Sequence, residues 1–210
     1  MNCGIEKLNT DFLEQNAVLP YNTLVDFCIK RINTKEKRQS KIAEELLREF
    51  LIQKHGIKNV QITRTQYGKP EAVLDGKYVR NVSISHSKGY FSVAATEASF
   101  LGIDVQHRVT WDNPNKQQAA FTLRELKCLE NTGVNIDSLD AYTVLWSAKE
   151  AVCKALGVGF LKGFHYAEIL TDFKNTCELY ILCNKIPQML NPMLFYGVID
   201  EFVCTFFVAT

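Results

Sequence analysis

The residues best suited to chemistry fall into five groups. Asp104 stands near the end of the apolar run Phe100-Leu101-Gly102-Ile103-Asp104-Val105. Burying a carboxylate there is costly unless it is paired or bound to a metal, although a strand-end Asp can also simply cap a loop. Gln106, two residues on, shares its strand face and offers one neutral carbonyl oxygen. Thr143, Ser147, Glu150 and Lys154 recur at spacings of four, three and four, which makes one polar stripe on a helix. Such a stripe is either a solvated face with a Glu150–Lys154 pair, or a source of a second carboxylate. A carboxylate from a strand and one from a helix could meet across the core and hold Mg²⁺, a hard cation that takes oxygen ligands.

Ser83-Ile84-Ser85-His86-Ser87 offers hydrogen bonds suited to phosphate or ribose, or is a polar strand end. It has no G-x-S-x-G elbow, so no hydrolase triad is read. Tyr67-Gly68-Lys69-Pro70 is a turn carrying a Lys and lacks the P-loop pattern. Lys30, Arg31, Lys35, Lys37, Arg38 and Lys41 face Glu36 alone, a local charge of +5. Positive charge near a helix N-terminus opposes the dipole, so an anionic partner there is attractive. His55, His107 and His165 have no metal-ligand spacing and are expected in surface or capping roles.

These groups need elements to hold them. The periodicity predicts a helix over 33–54, opened by an Asn33/Glu36 capping box and stopped by Gly56. Short alternating runs follow at Val60–Ile62, Val82–Ser85 and Phe91–Ala95, then the mostly apolar run Phe100–Val105. Glu97-Ala98-Ser99 is short enough for a hairpin turn, which predicts that 90–96 and 100–105 pair antiparallel. Trp111–Asn115 reads as a loop punctuated by Pro114. Thr122 and Glu125 form a capping-box pattern for a helix through Leu129. A longer helix is predicted over 138–156, ended by Gly157, and strands near 167–170, 177–182 and 202–209. Helix, strands, helices, strands suggests an α+β class.

The order of the groups carries a resemblance. Gly68-Lys69-Pro70, then Ser83-Ile84-Ser85-His86-Ser87, then Gly102-Ile103-Asp104-Val105, then Trp146-Ser147-x-Lys149-Glu150-Ala151-x-x-Lys154 resembles the Sfp-type 4′-phosphopantetheinyl transferases. Their motifs read G-K-P, N-I-S-H-S, G-[IV]-D-[IV]-E and W-[ST]-x-K-E-[AS]-x-x-K. The resemblance spans about residues 67–157, and the 33–54 segment is similar to the family's N-terminal helix. It implies two similar α+β halves in one chain, a pseudo-dimer, here drawn as residues 1–104 and 105–210 with the active site between them. It implies Mg²⁺-dependent transfer of the phosphopantetheine arm from coenzyme A to a Ser of an apo acyl, polyketide or peptidyl carrier protein, releasing adenosine 3′,5′-bisphosphate. By the motifs, Asp104 and Glu150 look like Mg²⁺ ligands, Glu150 the base for the carrier Ser, and Lys154 the cation at the leaving phosphate. Lys69, Ser85 and His86 look like coenzyme A contacts. Gln106 stands where the family usually has Glu, and would ligate the metal weakly or yield to water. Lys35, Lys37 and Arg38 are candidates for the coenzyme 3′-phosphate, and Arg38 is chosen. The residues alone also fit another Mg²⁺-dependent enzyme on phosphate esters, or a binder of carrier proteins without catalysis.

The chain of 210 residues carries 24 Lys and Arg against 23 Asp and Glu, a net charge of +1. That near-neutrality argues against wrapping nucleic acid. Seven irregularly spaced Cys without C-x-x-C read as thiols in a reducing compartment. No signal peptide and no long apolar span is visible, so a cytoplasmic protein away from membranes is expected. A two-halved chain is expected to build its site as a monomer.

Overall fold

The structure is a computed structural model that describes residues 3–8, 25–33, 38–56, 58–76, 78–131, 138–158, 166–173, 177–181 and 191–210. It is a mixed α+β fold. The strands are β1 (Gly4–Lys7), β2 (Val25–Arg31), β3 (Val60–Arg64), β4 (Pro70–Leu74), β5 (Tyr78–Ser87), β6 (Tyr90–Thr96), β7 (Phe100–His107), β8 (Ala167–Thr171), β9 (Cys177–Ile181), β10 (Met193–Ile199) and β11 (Phe202–Ala209). Four helices are described: α1 (Gln39–His55), α2 (Pro114–Ala120), α3 (Leu123–Glu130) and α4 (Ser138–Leu156). None is long and apolar enough to cross a membrane.

The strands form a five-stranded sheet ordered β2-β6-β5-β4-β3, a four-stranded sheet ordered β1-β10-β11-β7, and the β8–β9 pair. Side-chain alternation explains the layers. In β6, Phe91, Val93 and Ala95 join Leu47 and Leu51 of α1 in one core, while Tyr90 and Ala94 face the other way. That second core lies between the sheets, where Phe27 of β2 meets Leu101, Ile103 and Val105 of β7 and Phe206 of β11. A third core packs α4 on the far side of the four-stranded sheet, through Val144, Leu145 and Val152. The order of layers is therefore helix, sheet, sheet, helix, with β6, β7 and β11 covered on both faces.

Several expectations hold. α4 spans the predicted 138–156, and β8, β9 and β11 fall where the tail strands were expected. Gly56 closes α1 in the left-handed region at φ 63°, with its N–H on the Ile52 carbonyl at 3.0 Å. Thr122 and Glu125 make the capping box in full. None of the six described cysteines is in a disulfide, and Cys183 and His165 lie outside the described residues.

Other expectations are corrected. Residues 90–96 and 100–105 do not pair. β6 is flanked by β2 and β5, and among the described residues β7 pairs only with β11. The hairpin partner of β6 is β5, joined through Lys88 and Gly89 at φ 42° and 89°, the positive pair that a tight type I′ turn requires. With both edges of β6 taken, the 97–99 link carries the chain from one sheet to the other. The Asn81 amide holds it there, donating to the carbonyls of Ala98 at 2.6 Å and Ser99 at 3.2 Å. Helix α1 begins at Gln39, not at 33: Ile32, just past the end of β2, donates its N–H to the Gly89 carbonyl at 2.8 Å, a bond to the β5–β6 turn that a helix over 33–54 does not make. Glu36 of the expected capping box lies outside the described residues, and Arg38 is the actual N-cap, without a side-chain cap bond. Pro114 opens α2 rather than sitting in a loop: its missing N–H costs nothing at a first helical position, and Asn113 caps the turn. Strands β1, β2, β4 and β10 were not expected from the sequence.

Candidate active site

The site is built at the seam where β5 meets the free edge of β7 under the C-terminal half of α4. On β7 the odd-numbered residues Leu101, Ile103 and Val105 enter the inter-sheet core. Gly102, Asp104 and Gln106 therefore share the opposite face, toward α4. Gly102 is the closest approach: a Cβ there would stand 1.8 Å from the Ala151 carbonyl oxygen and 2.9 Å from the Ala155 nitrogen. That contact brings α4 down onto the strand and sets Asp104 against the polar stripe.

Asp104 is 1% exposed and fully engaged. Its Oδ1 accepts from Ser85 Oγ and from Lys154 Nζ, both at 2.7 Å, and its Oδ2 accepts from Ser147 Oγ at 2.8 Å. Lys154 Nζ also reaches Ser85 Oγ at 2.8 Å and the Ile103 carbonyl at 3.1 Å. Since Ser147 gives its proton to Asp104, Thr205 is the donor in the 2.9 Å contact between the two hydroxyls. Glu150 lies one helical turn from both Trp146 and Lys154, and is hydrogen-bonded to Asp104 and Trp146. Burial and the neighbouring Asp104 push its carboxyl up to about 8, against the pull of Lys154. The stripe is thus an inward-facing carboxyl pair with a single ammonium, not a solvated face.

The alternation Ser83, Ser85, Ser87 has a structural use that its chemistry alone did not reveal. The Ser83 hydroxyl accepts the Ile103 N–H at 2.9 Å, and the Ser87 hydroxyl accepts the His107 N–H at 3.1 Å. These amides lie on the unpaired edge of β7, where they would otherwise lack partners. The outer serines stitch one sheet to the other, and Ser85 between them contacts the carboxylate.

A cavity of about 340 Å³ opens at this seam. Lys69, Ser85, His86, Asp104, Glu150 and Lys154 line it, and so does Gln106. Lys69 sits in the β3–β4 turn, where Gly68 has φ 84°, and its ammonium donates to the Ala155 carbonyl at 2.8 Å. Burial pushes the Lys69 ammonium down from its ordinary value, and burial together with Lys154 does the same to His86. Arg38 is not among the lining residues. Ser40, Arg64 and Tyr67 are, and sequence reasoning missed all three. Arg64 is held by Glu44 of α1 and by the Gly68 carbonyl. A signal existed for Arg64 only in hindsight, since nothing local in the sequence pairs β3 with the start of α1. His55 pairs with Asp26 at 3.3 Å and His107 with Glu201 at 3.3 Å, away from the carboxyl pair.

Lys149, also missed, is the buried neighbour of Glu150. It is 1% exposed and donates to Glu125 Oε2 at 2.6 Å, while Glu125, fully buried, also accepts the N–H groups of Thr122 and Ile169 at 2.8 Å each. One ion pair therefore ties α4 to the start of α3 and to β8. Lys149→Met is expected to strand the Glu125 carboxylate and cost about 3–5 kcal/mol. Urea unfolding measures it, and a loss below about 1 kcal/mol would remove this pair as an anchor of α4.

Among the described residues no cluster of three or more His, Cys, Asp or Glu is placed to hold a metal. Asp104 and Glu150 supply two carboxyl groups in contact, and Gln106 an amide oxygen on the same strand face. An all-oxygen donor set of this kind suits Mg²⁺, and a cation there would favour the ionised form of Glu150.

Residues 100–206 match the family model described as the 4′-phosphopantetheinyl transferase superfamily. The chain is 29% identical over 133 residues to the 4′-phosphopantetheinyl transferase gsp of Aneurinibacillus migulanus, covering 62% of this chain and 53% of that protein. It is 27% identical over 181 residues to the 4′-phosphopantetheinyl transferase pptA of Paxillus involutus, covering 77% and 68%. The match thus spans about half the length of the first of these relatives. Among solved structures, the holo-[acyl-carrier-protein] synthase of Thermotoga maritima aligns with a TM-score of 0.42 and 19% identity, covering 53% of this chain and 63% of that one.

Proposed function

Because the chain belongs to the 4′-phosphopantetheinyl transferase superfamily, we propose that the seam cavity transfers the 4′-phosphopantetheine of coenzyme A to a Ser of an apo carrier protein. The observation that carries this reading is the contact of Asp104 with Lys154 and Glu150 at the wall of a cavity that also holds Lys69 and His86. Lys69 and His86 are pushed toward their neutral forms by burial, a penalty that a polyanionic ligand relieves.

In the proposed reaction the Ser oxygen of the carrier attacks the phosphorus that bears the pantetheine. The bond from that phosphorus to the bridging oxygen breaks, and adenosine 3′,5′-bisphosphate leaves with the bridging oxygen. Glu150 takes the Ser proton, as a base of modest strength held in place by Trp146 and the helix. Lys154 faces the charge that grows on the leaving phosphate. Lys69, Ser85 and His86 position the diphosphate end, and Arg38, on the +5 stretch before α1, is assigned to the 3′-phosphate. Asp104, Glu150 and Gln106 would hold Mg²⁺, which supplies Lewis-acid neutralisation of the diphosphate oxygens. Residues of the two proposed halves, 1–104 and 105–210, both line the cavity, which supports a reading in which one chain builds the site as a monomer; a cytoplasmic location is part of the same proposal. Acyl, polyketide and peptidyl carriers are all candidates.

Mass spectrometry tests the reading directly. The protein is incubated with Mg²⁺, coenzyme A and each of several apo carriers, and the phosphopantetheine mass is sought on the carrier. No adduct on any of them would sink it. The water-nucleophile alternative is separated by the same sample, since it releases free phosphopantetheine and leaves the carrier unmodified. Gln106→Glu adds a third carboxylate to the face of β7 and is expected to lower the Mg²⁺ concentration for half-maximal rate several-fold. A large rise in that concentration would contradict the placement of Gln106.

A further inference from the structure

Cys3 precedes β1 and Cys177 opens β9, far apart in the sequence. The fold brings them together. The Cys3 N–H donates to the Cys177 carbonyl at 2.9 Å, and the two thiols are in hydrogen-bond contact with each other. Backbones joined in this way stand near the spacing of neighbouring strands, about 4.8 Å. That lies inside the span of about 4.4–6.8 Å between Cα atoms that a disulfide bridges. The two residues are 8% and 5% exposed. Val152 of α4, Ile169, Leu194 and Phe207 surround them in an apolar gap too small for water. Thiols are weak hydrogen-bond partners there, whereas a disulfide is apolar and suits the same surroundings.

We infer that Cys3 and Cys177 are a reversible disulfide site, closed by glutathione disulfide, that staples β1 to β9 beneath α4. Entry is through β1. It is a strand of four residues at the outer edge of its sheet, paired with β10, and short edge elements open at low cost. The Cys3 thiolate so exposed attacks one sulfur of glutathione disulfide and expels one glutathione thiolate. When β1 closes again, the Cys177 thiolate attacks the Cys3 sulfur of the mixed disulfide and expels the second. Two cysteine thiols are oxidised, one glutathione disulfide is reduced to two thiols, and the cysteine protons pass to the two glutathione molecules. Contact with Cys3 and burial push the Cys177 thiol well up, so exchange waits on the opening of β1. The bridge closes a loop over most of the chain, which restrains the unfolded state and stabilises the folded one.

The whole chain is equilibrated in glutathione buffers from fully reduced to fully oxidised, free thiols are blocked, and the peptides are mapped by mass spectrometry. A peptide linked through Cys3 and Cys177 is expected in the oxidised buffers and is expected to vanish on adding dithiothreitol. The bridged protein is expected to unfold at a higher urea midpoint than the reduced one. Half-buried Cys28, Cys128 and Cys153 are expected to take up single glutathione molecules without linking. Cys177→Ser is expected to hold one glutathione on Cys3, the trapped intermediate. The inference is overturned if no Cys3–Cys177 link forms in the fully oxidised buffer, or if either residue links to another cysteine instead. A bridged protein with a lower urea midpoint than the reduced one also overturns it, since that marks a strained bond for which the fold is not shaped. The wild-type map and midpoint decide the matter on their own if Cys177→Ser does not fold.

Discussion

Glu150→Ala is expected to reduce phosphopantetheine transfer by 10²-fold or more while the protein stays folded. The base alone is worth typically 10²–10⁴-fold in such reactions, and Glu150 is also a proposed ligand of Mg²⁺. Stability should move the other way. Burial and Asp104 push the Glu150 carboxyl up to about 8, so its ionised form is disfavoured where it stands. Removing it relieves that repulsion and leaves Asp104 with Ser85, Ser147 and Lys154. An unchanged or raised Tm with lost transfer is the signature of a group held for function against its own electrostatic preference. Transfer retained within about tenfold would take Glu150 out of the mechanism. A collapse of the Tm would show that the carboxyl is structural instead.

Gly102→Ala is the second large effect, and it acts through the backbone. The added Cβ would meet the Ala151 carbonyl oxygen at 1.8 Å and its carbon at 2.7 Å. Both belong to the helix backbone, so no rotamer change relieves the clash. Helix α4 must retreat by on the order of 1.5 Å to restore ordinary contact. Overpacking of this kind costs about 1–3 kcal/mol or more. The same retreat draws Ser147, Glu150 and Lys154 away from Asp104, and a displacement of about 1 Å at reacting groups can cost 10²-fold in rate. Loss of both transfer and stability is therefore expected from one methyl group, read by transfer rate and by unfolding. Wild-type values for both would mean that Gly102 does not set the strand–helix distance.

Local signals in the chain were reliable where one segment carries its own reasons. The Thr122/Glu125 box caps α3 through bonds within four residues, and the apolar period of 138–156 makes α4. The reading failed where a segment's fate depends on distant partners. Residues 97–99 look like a hairpin turn, but whether β6 and β7 pair depends on β2 and β11 having claimed their edges. The start of α1 was misplaced because the Ile32 N–H is taken by the Gly89 carbonyl in the distant β5–β6 turn. Lys149 entered the sequence reading only as a motif position beside Glu150, and only the arrival of Glu125 from α3 makes it a buried anchor.

The candidate site divides along the same line. Residue types, order and spacing determined the chemistry: a strand carboxylate, a helix carboxyl and Lys, and a Ser-His segment, in the sequence of one family. The tertiary structure alone decided that Ser85, Ser147, Glu150 and Lys154 converge on Asp104, and that Ser83 and Ser87 join two sheets. A periodicity records which face of an element is polar. It holds no record of which other face it meets, because that follows from packing between segments dozens of residues apart.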